Sequence, residues 1–232
     1  MPLDVGEKEF SDVQHVILGD DQLDDFAKQL LADIDKQSTR KLIAIAGIPG
    51  SGKTTLMLKL IDRINAIKPA TAAAVSMDAY HLMNVQLDAL DLRKVKGSPQ
   101  TYDVTSYLHL LKQLKTQTKR DVFYPVYDRG IHNPIWRASQ IVKPKVKILF
   151  TEGQFLLLDH APWDELANVV DESWYLKVDP AKVREDLIAR HVHGGRTRED
   201  AIEHVTRSDD ANRDLVLTCM RKPDLIVGLP GR

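Results

Sequence analysis

One cysteine, Cys219, stands among 232 residues. A single thiol excludes an internal disulfide framework and fits a reducing compartment. No stretch of eighteen apolar residues occurs, so the sequence contains no candidate membrane-spanning helix. Neither charge dominates: 32 basic and 33 acidic side chains leave a net −1, and no global basic field points to nucleic acid or a membrane surface. The first residues carry Asp4, Glu7, Lys8 and Glu9 before any apolar stretch, unlike a signal peptide. A cytoplasmic location is the expectation. Internal repeats and low-complexity segments are also missing. What remains is a chain of a length suited to one α/β domain with a small excursion, with enough residues for an ordinary core.

The most informative stretch is Gly47-Ile48-Pro49-Gly50-Ser51-Gly52-Lys53-Thr54, followed by Thr55. It fits G-x-x-x-x-G-K-[ST] at every fixed position. Leu42 to Ala46 before it form a short apolar run, suited to a strand buried on both faces. Leu56, Leu60, Ile61 and Ile64 after it recur at helical spacing. Strand, glycine-rich loop and helix are the context the motif needs. Glycines let backbone N–H groups converge on phosphate oxygens, and the helix N-terminus adds partial positive charge. Lys53 then reaches the β- and γ-phosphates and the Thr54 hydroxyl is a ligand for Mg²⁺. The sequence predicts a nucleoside-triphosphate site.

Elsewhere the chain alternates strands and helices. Leu23, Phe26, Ala27, Leu30, Leu31 and Ile34 predict an amphipathic helix capped by Asp20 or Asp21, within an N-terminal extension over 1–40. Ala72 to Met77 predict a strand ending at Asp78; ligands in parallel sheets collect at the carboxyl ends of strands. Arg93, Lys94 and Lys96 lie in a polar stretch, read either as a solvated loop or as a cationic wall for an anionic substrate. Tyr107, Leu108, Leu111 and Leu114 mark another helix. Val122, Tyr124 and Val126 alternate like a half-buried strand with Ile141 and Val142 as partner, a hairpin-like excursion within 117–145. Val146 to Phe150 predict a third sheet strand, ending at Glu152, an acidic group aimed at a metal. Ser173 to Val178 predict a fourth, and Asp179-Pro180 a helix start. That helix ends near Arg190, and two glycines stop it. Thr197 caps a final helix from Arg198 to Met220, and Asp224 to Val227 are read as a last, edge strand. The span 190–198 reads as a mobile lid carrying Arg190 and Arg196 onto phosphate. No cysteine or acidic residue lies at ligand spacing from His191 and His193, which excludes a metal site there on spacing alone.

These pieces together resemble the uridine kinase, phosphoribulokinase and type I pantothenate kinase group of P-loop phosphotransferases. The likeness is strongest to small bacterial proteins described as fructose transport system kinases or nucleoside/nucleotide kinase family proteins. The carrying residues are Gly47 to Thr54, Ser76 to Leu82, Arg93 to Pro99 with Thr101 to Asp103, Tyr124 to Arg129, Thr151 to Asp159, and Ala189 to His191. They span roughly residues 41–227. One departure is Ala79, where such proteins usually carry glycine. The resemblance implies a three-layer α/β/α sandwich of the P-loop NTPase type, with a mainly parallel sheet, a lid and a small hairpin. It implies ATP and Mg²⁺ as cofactors and a small-molecule hydroxyl acceptor, and leaves a homodimer open. It makes Asp78 the candidate base on the acceptor hydroxyl, assigns Glu152 to the metal, and gives Arg190 and Arg196 to the phosphates. Tyr80, His81, Arg93, Tyr102, Tyr127, Asp128 and Arg129 become candidates for binding the acceptor.

The resulting expectation is a kinase acting on a sugar, a nucleoside or a pantothenate-like or glycerate-like compound. Its rival is a P-loop ATPase that hydrolyses nucleotide as a switch, without an acceptor. No asparagine precedes a lysine here, so the guanine-reading Asn-Lys-x-Asp pattern of switch GTPases is missing.

Overall fold

A computed structural model describes residues 8–34 and 39–231 and, at 137–139, the backbone alone. The chain runs β1 (Gln14–Ile17), α1 (Leu23–Ile34), β2 (Lys41–Ala46), α2 (Lys53–Ile67), β3 (Ala72–Ser76), α3 (Asn84–Ala89) and α4 (Val104–Thr116). It continues through β4 (Val122–Asp128), β5 (Asn133–Val142), β6 (Ile148–Gly153), β7 (Glu172–Lys177) and α5 (Pro180–His193). Last come α6 (Arg198–His204), a π-helical segment (Val205–Asp210), α7 (Ala211–Cys219) and β8 (Leu225–Gly228). Six strands form one sheet in the order β1-β8-β7-β2-β6-β3, and every neighbouring pair is parallel.

The physical reason for the central strand is visible in its composition. All six residues of β2 are buried, because helices cover both faces of a parallel sheet. Leu42, Ile43 and Ile45 have no exposed surface, and each such side chain contributes about 1.5–3 kcal/mol by leaving water. Trp163 and Trp174 complete the core, with Trp174 edge-on to Phe26 of α1 and Phe150 of β6. Arg40, only 1% exposed, sits at the foot of β2. Its guanidinium donates to the carbonyls of Val146 (3.0 Å), Lys143 (3.2 Å), Gln117 (3.3 Å) and Leu114. It thereby ties the end of α4 to the segment entering β6.

Several helix starts follow the sequence directly. Asp179 accepts from the amides of Ala181 and Lys182 with Pro180 beside it, and Thr197 accepts from the amide of Asp200 at 3.1 Å. Two readings need correction. The stretch 224–227 is not an edge strand, since β8 pairs with β7 on one side and β1 on the other. The edge belongs to β1, whose four residues are mostly exposed and carry no alternating apolar signal. The final helix is also not regular: residues 205–210 wind with i→i+5 bonds between α6 and α7.

β4 and β5 form a separate two-stranded antiparallel sheet whose register slips between Tyr124 and Val126, at Pro125. Proline cannot donate to a ladder, so the irregularity falls where it must. No helix among the described residues is long and apolar enough to cross a membrane.

Candidate active site

The sheet order places three strand ends side by side: β2, β6 and β3. From β2 the chain enters the loop Gly47–Gly52, and α2 begins at Lys53. Gly52 has φ +97° and Gly50 φ +74°, a region that L side chains rarely enter. A Cβ on Gly50 would also meet Val183 and Leu187 of α5 at 2.9 Å, so the loop lies directly against that helix. Lys53 is buried, and its ammonium donates to the carbonyls of Gly47 (2.9 Å) and Ile48 (2.8 Å) and to the Ser51 hydroxyl (3.3 Å). Burial pushes the Lys53 pKa down, against the opposing charges of Glu152 and Asp78.

Glu152 and Ser76 are register partners on β6 and β3. The Ser76 hydroxyl donates to Glu152 Oε1 at 2.6 Å, and the Thr54 hydroxyl lies near enough to favour the ionised carboxylate. Burial raises the Glu152 pKa and the Asp78 charge adds to it, while Lys53 and the two hydroxyls oppose. Thr54 and Glu152 thus offer hard oxygen ligands close together, a donor set that suits Mg²⁺. The loop amides, Lys53 and the start of α2 suit a polyphosphate.

Asp78 lies two residues beyond β3, in a short 3₁₀ turn whose first amide is capped by Ser76. Although 36% of its side-chain surface stays exposed, enough protein crowds the carboxyl for burial to raise its pKa, with Arg129 and Lys53 opposing. Arg129, at the hairpin tip, brings Nη2 to 3.9 Å from Asp78 Oδ2. His81 Nδ1 lies 2.8 Å from the Asp78 carbonyl. A carbonyl only accepts, so Nδ1 carries the proton and Nε2 keeps its lone pair. Burial holds the imidazole pKa down at about 4, which keeps it neutral near pH 7. The His81 ring contacts Tyr102 (4.0 Å between centroids) and Tyr127 (4.7 Å). Burial pushes the Tyr127 phenol up to about 12.

Not every candidate joins this group. Tyr80 packs against Tyr107 and Trp136 instead. It lines a separate cavity of about 470 Å³ with Ser106, His109 and Tyr124. Arg93 is held by Asp88 through paired bonds of 2.9 and 2.7 Å; the cation of that loop over an aromatic ring is Lys96, 5.5 Å from the Tyr127 centroid. The Asp128 carboxylate accepts from the amides of Gly130 (2.7 Å) and Ile131 (3.2 Å), shaping the hairpin turn. Arg190 sits in the last turn of α5 within electrostatic reach of Lys53, and Arg196 follows the glycine pair, its amide donating to the His191 carbonyl at 3.2 Å. Spacing along the chain did not reveal that the fold brings His204 and Asp209 to His191; His193 is not part of that group.

Sequence reasoning singled out neither Gln154 nor Asn212 for the site. Both donate to the Gly97 carbonyl, at 3.0 and 3.1 Å, and Gln154 lies beside the Tyr102 hydroxyl. Gln154 follows Glu152 closely enough to be suspected. Asn212 lies on α7, 115 residues from Gly97, and no local pattern marks it.

Comparison with known proteins places this geometry. Residues 42–229 match the profile of the phosphoribulokinase / uridine kinase family. A Schizosaccharomyces pombe protein named as a candidate uridine kinase is 33% identical over 215 residues, covering 89% of each chain. The Escherichia coli protein YggC is 35% identical over 190 residues, covering 81% of this chain and 77% of that one. Among solved structures, a candidate fructose transport system kinase from Silicibacter sp. TM1040 superposes with a TM-score of 0.80 at 32% identity, covering 88% of this chain and 98% of that one. The chain therefore belongs to the phosphoribulokinase and uridine kinase family and is an ATP- and Mg²⁺-dependent kinase of small molecules.

Proposed function

We propose that the acceptor is an uncharged, ring-bearing polyhydroxyl compound, a sugar or a nucleoside, phosphorylated on a hydroxyl that faces Asp78. The observation that carries this reading is the neutral His81 ring packed on Tyr102 and Tyr127 beside the Asp78 carboxylate. Aromatic rings take the apolar face of a ring, Nε2 accepts from one hydroxyl, and the carboxylate accepts from the reacting one. The names of the Schizosaccharomyces pombe relative and the Silicibacter neighbour point to a nucleoside and a sugar, the two classes this site suits.

In this reading Asp78 orients the acceptor hydroxyl and takes its proton as the oxygen bonds to the γ-phosphorus and the bond to the β-phosphate oxygen breaks. Lys53 stays on the phosphates and, with Arg190 and Arg196 from a lid over 190–198, balances charge that builds in the transition state. Thr54 and Glu152 would hold Mg²⁺, which would supply further neutralisation of the phosphates. A cavity of about 480 Å³ beside Gly52 and Thr55, walled by Gly19, Lys59, Leu229 and Pro230, takes the nucleoside end of ATP. The described elements act as one kinase domain with the hairpin as acceptor wall, and ATP use fits a cytoplasmic setting.

The test is an ADP-release screen with ATP and Mg²⁺ across free sugars, nucleosides, pantothenate and glycerate, with the phosphorylated product identified by mass. Turnover with a sugar or nucleoside is expected. Turnover confined to the carboxylate-bearing acceptors would overturn the assigned class. ADP released with no phosphorylated compound across the panel would favour a hydrolytic switch.

A further inference from the structure

A second cluster of chemically capable side chains lies where α5 ends against the rod of α6, the π segment and α7. His191, His204 and Asp209 each present a ligand atom, and the three atoms lie within 4.8 Å of one another. His191 Nε2 and Asp209 Oδ2 stand 3.6 Å apart. Both atoms are buried and neither has a hydrogen-bond partner. The His191 and His204 rings meet edge to face with centroids 4.7 Å apart.

Two buried polar atoms left unsatisfied demand an account, since such groups are normally paired. At 3.6 Å they are too far apart for a direct hydrogen bond. The separation suits two ligands of one ion instead: bonds of about 2.0 Å at tetrahedral angles set ligand atoms about 3.3 Å apart. The backbone supports the same reading. His204 and Asp209 are five residues apart, and α-helical winding would turn them about 140° away from each other. The i→i+5 winding of Val205–Asp210 brings them onto one side.

We propose that His191, His204 and Asp209 form a binding site for a divalent transition metal, with Zn²⁺ the best-fitting ion. Two imidazoles and one carboxylate are borderline donors that favour Zn²⁺, Co²⁺ or Ni²⁺ over Mg²⁺. Three protein ligands leave a coordination position open to water. An ion there clips the end of α5 to the π segment and closes the turn Gly194–Thr197 from both sides. Arg190 adjoins one ligand in sequence and Arg196 lies in the clipped turn, so occupancy fixes the segment that carries both arginines. The site rests on its own geometry and stands whatever the acceptor proves to be.

Co²⁺ is the probe, because a tetrahedral Co²⁺ site absorbs visibly. The full chain, free of nucleotide and Mg²⁺, is titrated with Co²⁺ and then with Zn²⁺. The expected result is a visible band that saturates at one equivalent and is displaced by Zn²⁺. His204→Gln and Asp209→Asn should each weaken binding at least about tenfold. Circular dichroism and metal-free melting of both variants report whether they fold, and the wild-type titration needs no variant. Absence of a band in the wild type at excess Co²⁺ overturns the proposal. So does an unchanged titration in both folded variants, which would place the ion elsewhere.

Discussion

At the scale of single residues, the site sets Asp78 and Glu152 apart by what each touches. Asp78 faces Arg129 and the aromatic wall, whereas Glu152 is held by Ser76, with Thr54 nearby. Asp78→Asn should lower kcat for acceptor phosphorylation by roughly 10²–10⁴-fold, the usual cost of losing a general base. Slow ATP hydrolysis without acceptor should largely survive; wild-type transfer by the variant would remove Asp78 from its assigned role. Glu152→Gln is expected to raise the Mg²⁺ requirement and lower the rate, and also to stabilise the fold at neutral pH. The sign follows from burial, which raises the carboxyl's folded pKa. The native state then holds a proton that the unfolded chain releases, so this group's contribution is full below the ordinary carboxylate range. It is lost as pH rises through the folded pKa. The gain from the neutral isostere should therefore be present at pH 7 and fade in acid, as thermal melting at two pH values will show. Lys53, Thr54 and Glu152 were legible because a loop motif and a strand end fix them locally. The placement of Tyr80, Arg93 and Asp128 was not legible, because what decides each of them is a neighbour's side chain or a turn's amides. Sequence proximity to Asp78 or Arg129 carries no such information.

At the scale of elements, the buried strands announced themselves and the exposed ones did not. β2, β3, β6 and β7 are apolar runs or nearly so, and each was placed within a residue or two. β1 has one partner strand and mostly exposed side chains, so its reason for being a strand lies in the backbone bonds that β8 offers. The π segment is likewise invisible in composition, since its cause is how the rod packs on α5. Arg40 shows how one residue joins elements far apart in sequence. It satisfies the Leu114 carbonyl in the last turn of α4 and the Gln117 carbonyl just past it, groups that have no partner within the helix. Arg40→Leu should destabilise the protein by about 2–4 kcal/mol, because each carbonyl left buried and unpaired costs about 1–3 kcal/mol and local relaxation recovers part. Urea unfolding measures this, and a loss under about 1 kcal/mol would show that water or rearrangement replaces the arginine.

At the scale of the molecule, a parallel sheet aligns the ends of β2, β6 and β3 on one edge, and Lys53, Glu152 and Asp78 all follow from that edge. The hairpin reaches Asp78 from one direction through Arg129, and α5 lies against the phosphate loop at Gly50. The carbonyl of Gly97 takes one hydrogen bond from Gln154, just past β6, and another from Asn212, on α7. One oxygen therefore joins two parts of the protein that are far apart in sequence. Its consequence is thermodynamic linkage: if nucleotide shifts the helix, the loop that carries Tyr102 must respond, and acceptor must tighten or loosen nucleotide by the same factor. Couplings of this kind are typically roughly 5–150-fold. Acceptor affinity measured with and without a non-hydrolysable ATP analogue should differ within that range in the wild type. Asn212→Ala should bring the two affinities together while leaving each substrate able to bind alone, so that the two sites become strangers sharing one chain.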